Sequence, residues 1–170
     1  LKIIEDAAQS LGSTYNNNHT GTFAELGCYS LYPAKVMTAG EGGFVVTNSK
    51  KLFDKLRLIR NHGMLHGYDT RILGLNLRLP EISAAIAKVQ IKKLPNFLIK
   101  RRKNAQILSE LISDLDIKIP KERKNEKVNW YLYTIETKKR NKVQAKLNSK
   151  GIGATTYYPT PIHKTPFYNK

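Results

Sequence analysis

In the first fifty residues the apolar positions come in short runs broken by glycine-bearing turns. Residues 1–4, 27–31 and 43–47 each read as a strand. The pattern then changes period. Asn48 or Ser49 can cap a helix whose stripe is Leu52, Leu56 and Ile59, with Gly63 to end it. Ile82, Ile86 and Val89 repeat at helical spacing within 80–94, and Leu98, Ala105, Leu108, Ile112 and Leu115 do so beyond. Pro95 lies between the two stripes and has no backbone N–H to donate, which predicts two helices with a hinge between them. Further on, 117–120 and 128–137 read as strands, 141–150 as a helix closed by Gly151, and 155–158 as another strand. The succession predicts an α/β module over 1–95 and a smaller α+β module over 96–170.

Composition narrows the class. A chain of 170 residues with 41% hydrophobic content can bury one core or two small ones. No apolar run reaches membrane-spanning length and no basic-then-apolar leader is seen, so the expectation is a soluble, cytoplasmic protein without membrane contact. The single Cys28 cannot form an internal disulfide and reads as a small hydrophobe. Lys and Arg number 29 against 13 Asp and Glu, a net charge of +16. That excess is compatible with nucleic acid, anionic membrane or phosphorylated substrates. Its clusters, Lys100-Arg101-Arg102-Lys103 and Lys121-Glu122-Arg123-Lys124, lack the interleaved aromatics of a single-strand platform, and read as solvated faces instead. The chain also opens at Leu1 inside a strand-like run, which suggests a piece of a longer protein.

Candidate chemistry centres on residues 30–43, Ser30-Leu31-Tyr32-Pro33-Ala34-Lys35-Val36-Met37-Thr38-Ala39-Gly40-Glu41-Gly42-Gly43, where a lysine lies in a constrained turn between strands. Taken alone, this reads first as an ordinary hairpin with one solvated lysine, since lysines in turns are common. Upstream, Ile3-Ile4-Glu5-Asp6-Ala7-Ala8-Gln9-Ser10 sets Asp6 at the carboxyl end of an apolar strand, where ligands meet open α/β sheets. An acid there also serves as a helix cap. His62 and His66 stand four apart, but with Gly63 between them, no accompanying Glu and no third ligand, they do not read as a metal site.

Together the segments resemble the DegT/DnrJ/StrS family of sugar aminotransferases, whose pattern runs from E-D-A-A-Q through S-x-x-P-x-K to T-x-G-E-G-G. The resemblance continues through Arg60-Asn61-His62-Gly63, Gly74-Leu75-Asn76-Leu77-Arg78-Leu79-Pro80-Glu81 and Tyr158-Pro159-Thr160-Pro161-Ile162-His163. It implies the aspartate-aminotransferase-like fold of pyridoxal-phosphate-dependent transferases, with 1–95 as the later part of the cofactor-binding large domain and 96–170 as most of the small one. It also implies roles for five residues. Lys35 resembles the lysine whose amine bonds to pyridoxal 5'-phosphate and later moves a proton. That amine must be neutral for part of the cycle, which burial and a cationic cofactor beside it both favour. Asp6 resembles the carboxylate paired with the pyridine nitrogen, and Gln9 the glutamine near the ring's phenolic oxygen. Ser30 matches the serine that bonds the phosphate, and Asn76 an asparagine reaching the phosphate across a dimer interface, so a homodimer with shared sites is implied.

The activity implied is transfer of an amino group from an amino acid, glutamate by family habit, to a nucleotide-linked keto-sugar. Two departures stand out. After Gly151-Ile152-Gly153 the family carries threonine and arginine, where this chain has Ala154 and Thr155, which bears on substrate preference. Family chains are also about twice as long. The upstream phosphate-holding turn, the residue stacking on the ring and the last helix are not within these residues. The alternatives are a regulatory or DNA-binding protein of the same fold, against which stands the want of a helix-turn-helix with a basic recognition helix, and an inactive remnant.

Overall fold

The computed structural model describes residues 1–169. By compactness it divides into two units, Leu1–Asp114 with Pro120–Tyr133, and Leu115–Ile119 with Thr134–Lys170.

In the first unit, β1 (Ile4–Asp6), β4 (Leu26–Ser30) and β5 (Gly43–Val46) form a three-stranded sheet in the order β1-β4-β5. β1 and β4 run parallel with Asp6 opposite Cys28, and β4 and β5 run antiparallel with Ser30 opposite Gly43. The three strands are those read from the sequence, except that the first lies at 4–6 and not 1–4. A second sheet, β3-β2-β6, joins β2 (Thr14–Tyr15), β3 (Asn18–His19) and β6 (Glu126–Lys127). Asn16 and Asn17 between β2 and β3 have φ of 48° and 63°, the left-handed pair that a two-residue hairpin turn needs and that asparagine tolerates. That Asn-Asn pair is a turn signal carried by the sequence itself.

Two local devices brace the first sheet. Glu5 on β1 accepts backbone N–H groups from Gly21, Phe23 and Ala24 at 2.6, 2.5 and 2.8 Å, which ties the turn before β4 to β1. Burial works against its ionisation, but the bonds from Ala24, Gly21 and Phe23 outweigh it and hold the carboxyl below its ordinary value of 4.5. Gly27 lies so close to this turn that a Cβ on it would stand 1.9 Å from the Gly21 carbonyl oxygen. Tyr29 donates its hydroxyl to the Thr20 carbonyl, and burial, then the charge of Glu5, pushes that phenol up.

α1 (Lys50–Ile59) is capped by Ser49, whose Oγ accepts from Leu52 N at 3.3 Å. It ends at Ile59, before Gly63, whose N–H turns back to the Leu58 carbonyl at 2.8 Å. α2 (Glu81–Leu111) is a single 31-residue helix with Pro95 inside it. The two helices and the hinge expected at Pro95 are therefore one element, and the division into compact units falls elsewhere. The reason is packing. Leu94 is 9% exposed and sits in one cluster with Leu31, Val36, Met37 and Ala39, against which Leu98 also packs. Burying both leucines beside the proline offsets the hydrogen bond that its ring removes.

In the second unit, α3 (Arg140–Ser149) ends as expected, with Gly151 at φ 76°. The expected strands are reduced: Lys118 and Glu136 form one antiparallel bridge, backed by ammonium–carboxylate contacts of 2.9 and 3.1 Å. Residues 155–158 form no strand. Asn148 instead holds the chain beyond Gly151, donating to the Ala154 carbonyl at 3.1 Å and accepting from Ala154 N at 2.9 Å. One side chain thus satisfies both backbone groups of Ala154.

Candidate functional site

Because β1 and β4 are parallel, their carboxyl ends fall on the same edge of the sheet. Asp6 closes one strand and Ser30 closes the other. Asp6 is exposed, and its Oδ1 accepts from Ala8 N at 3.1 Å, an Asx turn that fixes the carboxylate as the chain leaves the sheet. Gln9 follows in that turn, exposed, with its carbonyl oxygen engaged by Asn129 Nδ2 at 2.8 Å. Ser30 Oγ accepts from Tyr32 N at 3.3 Å.

The loop from Ser30 to Gly43 is not a solvated hairpin. Leu31, Val36, Met37 and Ala39 are all buried, so the chain dips into the core on both sides of Lys35. Hydrogen bonds then lock its path. Leu31 N donates to the Gly42 carbonyl at 2.9 Å, and the Leu31 carbonyl accepts from Ala39 N and Thr38 Oγ1, each at 3.0 Å. Lys35 N donates to the Tyr32 carbonyl at 3.0 Å, and its Nζ lies 5.0 Å from the centre of the Tyr131 ring. The lysine is half-buried, in contrast to the exposed Tyr32, Pro33 and Ala34 before it.

Four of the five residues singled out in the sequence therefore sit on one sheet edge or on the loop that leaves it. Asn76 is placed differently. It pairs in a bridge with Asn61, beyond the end of α1, and its Oδ1 accepts from Arg78 Nε at 3.1 Å. Among the described residues, Asn76 makes no hydrogen bond with the other four.

Asn129, which no motif marks, is 3% exposed. Its Nδ2 donates to the carbonyls of Gln9 and Leu11 at 2.8 and 3.0 Å, its N–H to Ser13 Oγ at 3.0 Å, and its Oδ1 accepts from Tyr131 N at 2.9 Å. Arg101 and Arg102 also differ from their reading as solvated charges. Arg101 Nη1 donates to the Trp130 carbonyl at 3.1 Å, and Arg102 donates to the carbonyls of Val128 and Gly12 at 3.1 and 3.2 Å. Nothing in a basic run distinguishes an arginine turned inward from one in water, because the partners are main-chain oxygens far along the chain.

Comparison with known proteins now decides the family. The DegT/DnrJ/EryC1/StrS aminotransferase family model matches residues 1–170. The chain belongs to that family. It is 39% identical to the "Pleiotropic regulatory protein" of Geobacillus stearothermophilus, over 99% of this chain and 46% of that one. It is 34% identical to the dTDP-3-amino-3,4,6-trideoxy-alpha-D-glucose transaminase of Streptomyces venezuelae, over 99% and 45%. Among solved structures, a DegT/DnrJ/EryC1/StrS aminotransferase from Brucella abortus superposes with a TM-score of 0.94 at 35% identity, covering 99% of this chain and 46% of that one. DesV of S. venezuelae, in complex with a ketimine intermediate, gives 0.94 at 32%, again over 99% and 46%.

The fold is thus that of a family of pyridoxal-phosphate-dependent aminotransferases, and the chain spans about half the length of the relatives it matches. A carboxylate and a hydroxyl on one sheet edge, with an amine on the loop that leaves it, are a donor set suited to that cofactor's ring nitrogen, phosphate and aldehyde. The residues present fit the group.

Proposed function

We propose that the protein to which this chain belongs moves an amino group from an amino acid, glutamate, to a keto-sugar linked to a nucleotide. The observation that carries the proposal is Lys35, half-buried in a locked loop on the sheet edge that ends in Asp6 and Ser30. It is supported by relatives whose names describe transamination of UDP- and dTDP-linked sugars.

Bound pyridoxal phosphate would supply an electron sink for the carbon that loses a proton. The rest falls to side chains. Lys35 would bond the aldehyde through its amine and carry a proton between carbon atoms once displaced. Asp6, held by Ala8 N, would keep the ring nitrogen protonated. Gln9 would face the phenolic oxygen and Ser30 would donate to the phosphate. Asn76 would serve the site of a second copy, which accounts for its separation from the other four and makes the working unit a homodimer. No described helix is long and apolar enough to cross a membrane, and a cytoplasmic place goes with nucleotide-sugar substrates.

The test uses the full-length protein loaded with pyridoxal phosphate. Borohydride reduction followed by peptide mass spectrometry is expected to place the cofactor on Lys35 and to find no adduct in Lys35→Ala. An adduct retained in that variant overturns the assignment. A regulatory reading is favoured by the name of the Geobacillus relative and the charge of +16. Cofactor-independent, salt-sensitive DNA binding at physiological ionic strength would support it against transamination.

A further inference from the structure

The segment facing the Lys35 loop has no role in the reaction described above, yet it is held by several hydrogen bonds. Tyr131 presents its ring to the amine, with Lys35 Nζ 5.0 Å from the ring centre, inside the range of a cation–π contact. Packing and hydrogen bonding both fix that ring. It lies against the cluster of Leu31, Val36, Met37, Ala39 and Leu94, and its backbone N–H donates to Asn129 Oδ1. Asn129 in turn grips the Gln9 and Leu11 carbonyls, so one buried amide spans the turn after Asp6 and the residue beneath Lys35.

Between Asn129 and Tyr131 stands Trp130, with φ of 51°. A bulky residue in the left-handed region persists only where its surroundings over-determine it, and strain of this kind gathers at ligand-binding sites. Here the surroundings are visible: Arg101 bonds the Trp130 carbonyl and the indole stacks on Tyr133 at 5.6 Å.

We infer that Tyr131 is a positioning residue for Lys35, its ring face holding the resting amine at the sheet edge while Asn129 fixes the ring relative to the Asp6–Gln9 turn. The inference rests on Lys35 as the cofactor-bonding residue. A ring face attracts an ammonium through its quadrupole and has no such hold on a neutral amine. The contact therefore restrains the lysine while it is free and charged, and loosens as the amine gives up its proton to become a nucleophile. Restraint of the long stem before bonding also removes rotamer freedom that would otherwise be lost at that step.

Competitive acetylation with acetic anhydride, followed by mass spectrometry of the Lys35 peptide, tests this on the full-length protein freed of cofactor. Tyr131→Leu removes the ring face and is expected to speed Lys35 acetylation by about 3- to 10-fold near neutral pH, whereas Tyr131→Phe keeps the face and reacts at the wild-type rate. Lys50, remote in the fold, is the internal standard. Should Tyr131→Leu fail to fold, Tyr131→Met fills a similar space without a ring and carries the same expectation. Wild-type rates in the ringless variants, or equal acceleration in Tyr131→Phe, overturn the inference. Failure of the Lys35 assignment would show separately, as an adduct surviving Lys35→Ala, whatever the acetylation rates.

Discussion

Asn129 donates its side-chain amide to the carbonyl of Gln9 at 2.8 Å, joining residues 120 positions apart in the chain. The same buried amide also reaches Leu11 and Tyr131. Truncation to Asn129→Ala would leave two carbonyls and one N–H without partners inside the protein. Each such group costs about 1–3 kcal/mol, with partial rescue by relaxation or water, so an overall loss of about 2–4 kcal/mol is expected. Urea unfolding followed by circular dichroism measures it. A loss below 1 kcal/mol would mean that the bridge is dispensable.

Glu5 makes stability depend on acid. Its folded carboxyl is held below 4.5 by three backbone N–H groups, against the opposing effect of burial. Above 4.5 the group is ionised in both states and its stabilisation is fully present. As the pH falls, the unfolded chain takes up the proton first, and the stabilisation drains away until the folded carboxyl is protonated too. Glu5→Gln should cost about 1–3 kcal/mol at pH 7 and show a shallower decline below 4.5 than the wild type. Denaturation midpoints at pH 7, 4.5 and 3 give both quantities.

Gly27→Ala places a methyl group 1.9 Å from the Gly21 carbonyl oxygen, a backbone atom that Glu5 holds in place through the Gly21 N–H. Neither side can yield cheaply. A destabilisation of at least about 3 kcal/mol is expected, visible as loss of soluble protein or a lowered unfolding temperature. The glycine is thus required by close approach, since it is not among those with positive φ.

Pro95 inside α2 removes the hydrogen bond that its N–H would have made to Ile91 one turn back. Pro95→Ala restores that bond in a helix already continuous and should stabilise the protein by about 1–3 kcal/mol. Calorimetry decides the sign. A destabilised variant would show that the ring's packing outweighs the bond.

Asp6→Asn keeps the Asx turn to Ala8 and removes the charge. If the proposed transamination holds, amino transfer by the full-length protein loaded with pyridoxal phosphate, followed through release of the keto acid from the proposed donor glutamate, is expected to slow at least about a hundredfold, the scale on which a group aimed at developing charge acts. Retained activity would remove Asp6 from the ring-nitrogen role.

What could be read from residues alone follows from how local each signal is. The strands at 27–31 and 43–47, the Ser49 cap and the Gly151 stop are set by neighbours within one turn or one strand, and they stand in the structure with shifts of a residue. The family motifs gave Lys35, Asp6, Gln9 and Ser30, and parallel pairing of β1 with β4 brings Asp6 and Ser30 to one edge. The helix through Pro95 was not legible, because its continuity depends on what Leu94 and Leu98 bury against, and those partners lie some sixty residues upstream. For the same reason nothing in the sequence marks Asn129 or the inward arginines, whose partners lie far along the chain. The sequence by itself determined the family and the local elements, through short-range pattern, and pointed to the lysine that we propose bonds the cofactor. Only the tertiary structure decided that the Tyr131 ring lies beside that lysine and that Asn129 reaches the Gln9 turn, because a ring face and a buried amide acquire their meaning from groups that folding alone brings within reach.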